Sequence, residues 1–143
     1  MKASSHVKIA KSADEISGCF RVMKQLRETL TPEEFNARMP IQQAEGYQIA
    51  FLLSEEQIVA VAGFRIIHML SSGKTLYVDD LVTDAASRSR GFGEAILKWL
   101  IEFARSSGCQ TFSLDSGVHR RRAHHFYFAQ GMHISDFHFE LSL

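Results

Sequence analysis

Cysteine is scarce. Cys19 and Cys109 are the only two in 143 residues, too few for a disulfide framework, and they fit a reducing compartment; a cytoplasmic location is the expectation. No excess charge of one sign exists either, because 16 Lys and Arg balance 16 Asp and Glu. That speaks against general nucleic-acid binding and leaves any basic patch local. The longest apolar run, Ile58 to Phe64, falls far short of the roughly 20 residues a bilayer span needs. The first residues, Met1 to Lys11, carry no apolar core of a secretory signal. No His-x-x-x-His spacing or cysteine cluster suggests a metal, and the adjacent His124 and His125 would diverge by about 100° on a helix. Linkers, repeats and low-complexity stretches are missing. What remains is one domain over residues 1–143, 45% hydrophobic, with enough chain to build a core unaided.

The pattern that is present alternates strands and helices. His6 to Ala10 reads as a short strand. Ser12 followed by Glu15 is a capping box, and Ile16, Cys19, Phe20, Met23 and Leu26 recur at helical spacing, predicting a helix to about Thr29. Thr31-Pro32-Glu33-Glu34 starts a second helix that should stop near Pro40. Strands are expected over Tyr47 to Leu53, Ile58 to Leu70 and Thr75 to Val82, then a helix over Glu94 to Arg105, a strand over Thr111 to Leu114 and a helix over Arg120 to Ala129. The tail, His133 to Leu141, alternates apolar residues loosely enough for one or two closing strands. The order β-α-α-β-β-β-α-β-α-β describes a mixed α/β sandwich, with a site expected at the strand ends where open sheets bind ligands.

The most informative stretch joins the third long strand to its helix. Gly91 and Gly93 sit where strand hands over to helix, flanked by Arg88 and Arg90. Backbone without Cβ can approach a ligand closely, and the N–H groups of Arg90 to Glu94 would face outward at the positive end of a helix dipole. A pyrophosphate cradle follows. It is not the dinucleotide fingerprint, which needs a third glycine where Ile96 stands, nor a Walker loop, which needs lysine where Glu94 stands.

What fits is R-x-x-G-x-G at Arg88, Gly91 and Gly93, followed downstream by Ala123, Phe126-Tyr127, Gly131 and Met132. This pair of motifs, in this order, resembles the GCN5-related N-acetyltransferase (GNAT) superfamily, whose element order is also the one just read. The resemblance implies the acyl-CoA N-acyltransferase fold, acetyl-CoA as cosubstrate and an amine acceptor, small molecule or protein. It maps the cofactor loop onto Arg88, Ser89, Arg90, Gly91, Phe92, Gly93 and Glu94. It also maps the strand edge that would pair with the pantetheine arm onto Leu81, Val82 and Thr83, with the N–H near Leu81 facing the thioester oxygen. The chain departs from the family at Arg120, where asparagine is common; Arg120 to Arg122 meet either solvent or the adenosine 3′-phosphate.

Acetyl transfer needs a neutral amine and a proton for the leaving sulfur. Tyr127, with a phenol pKa near that of a thiol, is by resemblance the acid. Two carboxylates compete for base. Asp79 falls where polyamine-type relatives carry a glutamate, and Asp115 falls where ribosomal-protein alanine acetyltransferases carry theirs. Asp79 and Asp80 are strand neighbours expected to point to opposite faces, so only one would reach the cleft; a β-bulge near Asp80 would splay the strands. The expected activity is direct transfer in a ternary complex, without metal, membrane or nucleic acid, and with homodimerisation left open. The alternative is an acyl-CoA sensor without turnover.

Overall fold

Helix starts are the features most sharply written into this chain, and the computed structural model, which describes residues 5–143, forms them from those residues. Ser12 caps α1 (Ala13–Leu26), and Thr31 caps α2 (Pro32–Ala44). In both, the cap oxygen accepts from the third backbone N–H while Glu15 or Glu34 reaches back to the cap. α1 stops at Leu26, short of Thr29, and beyond it Lys24 Nζ donates to the carbonyls of Glu28 and Leu30 as the chain turns away. α2 runs through Pro40 to Ala44. The ring removes one bond, to the carbonyl of Asn36, but both residues are exposed, so water can satisfy what the helix loses.

The remaining elements are β1 (Ser5–Ile9), β2 (Gln48–Ser54), β3 (Gln57–Met69), β4 (Gly73–Thr83), a 3₁₀ turn (Ala85–Ser87), α3 (Phe92–Ser106), β5 (Thr111–Leu114) and α4 (Arg121–Ala129). The strands form one mixed sheet in sequence order, β1 to β4 pairing antiparallel with their neighbours. Glu55 and Glu56, at φ 51° and 64°, make the two-residue turn between β2 and β3. Among the described residues no helix is long and apolar enough to cross a membrane.

The chain falls into two compact units, one reaching to Ser113 and the other Leu114–Leu143. In the first, alternate strand residues bury opposite faces of the sheet. Ile49, Phe51, Val61 and Val82 pack with Cys19, Val22 and Met23 of α1 and with Phe35 and Met39 of α2. On the other face Phe64 meets Phe103 edge-on at 5.4 Å, beside the buried Ile96, Leu97 and Leu100 of α3. Truncating a side chain such as Phe64, which has no exposed surface, removes about 3–5 kcal/mol.

The second unit corrects one expectation. α4 ends at Ala129, and Gly131, at φ 84°, turns the chain just after it, but the tail beyond forms no strand. Phe137, Phe139 and Leu141 are 82%, 92% and 84% exposed. An alternating pattern says which face a strand would bury; it does not supply the ladder partner that a strand also needs. The closing strand of the expected order is therefore not formed.

Candidate active site

The turn before α3 leaves main-chain donors unclaimed. Ser89 and Gly91 both adopt left-handed backbone, at φ 64° and 80°, and Gly91 is the helix N-cap. No side chain caps this helix, so its first N–H groups, at Phe92 to Glu94, are left for another acceptor. Nothing lies within 4 Å of where a Cβ on Gly91 would stand, so glycine is there for its dihedral angle, not for room. Arg88 and Arg90 are exposed beside it, and the Arg90 guanidinium lies 4.9 Å from the Phe92 ring centre. The loop is fixed from below by Asp84. Its carboxylate accepts from Gln25 at 3.0 Å and Arg21 at 3.2 Å, and the Ala85 N–H donates to Gln25 at 2.8 Å.

The strand leading into that turn has an open stretch. β5 has four residues against eleven in β4, and the residue just before it, Gln110, bonds the carbonyl of Lys74. A strand that short, starting there, cannot reach Leu81–Thr83. On their other side these residues pair with Ala62, Val61 and Ala60 of β3.

Between the two lies a β-bulge. Gly63 opposes Asp80 and Phe64 opposes Val78, which makes Asp79 the extra residue of β4. The bulge overturns the expectation that only one of the adjacent aspartates reaches the cleft: Asp79 and Asp80 both line a cavity of about 910 Å³ under the end of α1 and the side of α2. Each carboxylate is gripped. Arg65 forks onto Asp79, Nε to Oδ1 at 3.1 Å and Nη2 to Oδ2 at 2.8 Å. Arg27 donates from Nε to Asp80 Oδ1 at 2.9 Å and from Nη2 to the Asp79 carbonyl at 2.9 Å. The Tyr47 hydroxyl donates to Asp80 Oδ2 at 2.6 Å. Burial lifts the Asp79 carboxyl above the usual range even against the Arg65 guanidinium. Burial, followed by the charge of Asp80, pushes the Tyr47 phenol well above its ordinary value.

Arg27, Tyr47, Gly63 and Arg65 were not singled out by sequence reasoning. Arg65 carried a signal, being a lone cation in an otherwise apolar strand whose register partner is Tyr77, two residues from Asp79. Tyr47 carried none.

The second unit holds Tyr127, Asp115 and Arg120. Tyr127 is half-buried on α4, its ring 5.5 Å from that of Phe126; burial raises its phenol and the Arg120 charge partly offsets that, so it stays protonated at neutral pH. Asp115 is exposed, with His138 Nδ1 3.8 Å away. Arg120 is the N-cap of α4 and makes no side-chain cap bond. Ser116 Oγ is buried without a hydrogen-bond partner among the described residues. Among those residues no three His, Cys, Asp or Glu side chains converge as metal ligands.

Comparison with known proteins gives the same outline. Residues 11–132 match the model of the acetyltransferase (GNAT) family. An uncharacterised N-acetyltransferase of Bacillus subtilis is 33% identical over 123 residues, covering 85% of this chain and 87% of the relative. Glucosamine 6-phosphate N-acetyltransferase 1 of rice is 34% identical over 105 residues, covering 68% and 64%. In shape, the chain superposes on glucosamine-6-phosphate N-acetyltransferase of Arabidopsis thaliana with a TM-score of 0.77 at 23% identity, covering 97% and 98%. It superposes on AAC(6')-Iy, solved with the bisubstrate analogue CoA-S-monomethyl-acetylneamine, with a TM-score of 0.85 at 12% identity, covering 99% of each chain.

Proposed function

The chain belongs to the GNAT acetyltransferase family, and on that premise we propose that it moves an acetyl group from acetyl-CoA directly to a primary amine of a small molecule or protein, in a ternary complex, within a single domain over residues 1–143. The observation that carries this reading is the uncapped start of α3 behind two left-handed residues. Such a turn offers a row of main-chain donors and two arginines to a diphosphate. Arg88 to Glu94 hold that diphosphate, and Arg120 adds a cation for the adenosine phosphate. Leu81, Val82 and Thr83 pair with the amides of the pantetheine arm through the side β5 leaves open.

The reaction then asks three things of the chain. An alkyl ammonium, with a pKa of about 10.4, must lose a proton before it can attack. Asp79, whose burial makes it a better proton acceptor than an ordinary aspartate, takes it, with Asp115 as the other candidate. The N–H near Leu81 faces the oxygen that gains charge as the amine adds. Tyr127 gives its proton to the departing sulfur and regains one from water. Two free cysteines suit the reducing cytoplasm we propose as the setting.

The acceptor occupies the cavity over Asp79 and Asp80, its ammonium toward them. Relatives named for glucosamine 6-phosphate and for an aminoalkylphosphonate both point to amines that carry a phosphorus oxyanion. Arg38, exposed on the cavity wall with no ion-pair partner among the described residues, suits such a group. The test is a thiol-release screen with acetyl-CoA against polyamines, amino acids, aminoglycosides, peptide N-termini and these two phosphorylated classes. Release of coenzyme A that depends on one amine class supports the proposal. Binding of coenzyme A with no turnover of any amine would support the sensor reading instead.

A further inference from the structure

We propose that Tyr47 is the positioning residue that ties the two carboxylates of the acceptor cavity into one rigid unit, and that Gly63 is the residue that permits it. The inference rests on the acetyltransferase reading above for its kinetic consequence, and on geometry for its substance.

A bulge is the least constrained point of a ladder, because its extra residue has no partner across the strand. Here that residue is Asp79, and the next residue is a second acid. Two neighbouring carboxylates repel, and each is more than four-fifths buried, with side-chain exposures of 19% and 13%. Tyr47 touches both sides of the problem. Its hydroxyl holds Asp80 Oδ2 at 2.6 Å, and its ring lies 5.3 Å from the guanidinium carbon of Arg65, which in turn grips both oxygens of Asp79. Arg27 closes the same circuit from the end of α1. Every oxygen of the two carboxylates therefore has a donor, and Tyr47 serves both, its hydroxyl on Asp80 and its ring against the arginine that holds Asp79.

Gly63 explains why the arrangement fits. A Cβ at this position would stand 1.8 Å from the Tyr47 hydroxyl, 2.4 Å from its ring carbon and 2.6 Å from Asp80 Oδ2. Its φ is not in the left-handed region, so conformation does not require glycine here; space does. The bare backbone of β3 is the floor on which the Tyr47–Asp80 bond lies.

Tyr47 acts through the aspartates, so its loss should be felt by the amine and not by acetyl-CoA. Tyr47→Phe keeps the ring and deletes one hydrogen bond to a charged group. The expected result is a fall of about tenfold in kcat/KM for the amine found by the screen, with KM for acetyl-CoA unchanged. In an Asp80→Asn background the same substitution should add nothing further. Gly63→Ala should lose amine kcat/KM at least as strongly, and its melting curve separates that loss from unfolding. An arm that needs no acceptor follows the side-chain carboxyl ¹³C resonances of Asp79 and Asp80 in Tyr47→Leu, which removes both the hydroxyl on Asp80 and the ring over Arg65, and where both should move. Movement of Asp80 alone, or of neither, overturns the proposal, as does an equal rise in KM for acetyl-CoA. If the wild-type chain turns over no amine at all, the acetyltransferase reading has failed, and the resonances alone decide this one.

Discussion

Tyr127 and Tyr47 show how differently two phenols can be read. Both are raised by burial, and both stay protonated at neutral pH. Tyr127 was singled out because it falls in a motif; Tyr47 stands alone just before a strand, and only folding brings it to Asp80. Replacing Tyr127 by Phe should cut kcat by about a hundredfold or more while coenzyme A affinity, measured by calorimetry, holds. Unchanged turnover would remove it from the role of acid. The cysteines differ as well. Burial, with a smaller push from Glu15, lifts the Cys19 thiol to about 12, whereas Cys109 is half-buried. At pH 8 an aromatic disulfide reagent should therefore titrate a single thiol, Cys109, in the native chain, and both after denaturation. Two fast-reacting thiols in the native state would contradict the packing of Cys19.

The helix starts of α1 and α2 were readable to the residue, because a capping box is a local device that needs nothing from the rest of the chain. Ser12→Ala and Thr31→Ala should each cost about 1 kcal/mol in denaturant unfolding. α3 begins differently. Gly91→Ala meets no obstacle, but it forces a side chain into left-handed backbone, so about 1 kcal/mol of stability should go, with weaker coenzyme A binding alongside. An alanine variant as stable as wild type would mean the turn does not hold that conformation. What failed at this scale failed for want of context. Pro40 looked like a stop, but it lies on an exposed helix face where a missing bond costs little. The tail looked like a strand, yet has no ladder. A bulge was expected near Asp80 and stands at Asp79; what neither strand states alone is that this register between β3 and β4 brings both aspartates to one cavity.

At the scale of the molecule, the order of elements up to α4, the mixed α/β class and the family were legible, since each rests on patterns repeated along most of the chain; the family match runs from residue 11 to 132. The carboxylate network was not, because it joins Arg27, Tyr47, Arg65 and Asp80 from separate elements. A similar long-range tie governs the acid stability of the chain. Hydrogen bonds from Gln25 and then Arg21 hold the Asp84 carboxyl below the usual range. A depressed folded value adds stability above the unfolded carboxylate pKa of about 3.9, and that stability is lost as pH falls through the folded value. Asp79, raised by burial, works the other way: its contribution is lost as pH rises between its unfolded and folded values. Melting temperatures from pH 7 down to pH 3 should fall less steeply for Asp84→Asn than for wild type, and parallel curves would rule out this anchor.

Acetyl transfer by this chain requires main-chain donors at the start of α3 to grip a diphosphate. Calorimetric titration of the wild-type chain with coenzyme A, and in parallel with pantetheine, which has the arm but no diphosphate, tests it directly. Saturable heat with coenzyme A and none with pantetheine is the predicted result; equal binding of the two, or no heat from either, would contradict it.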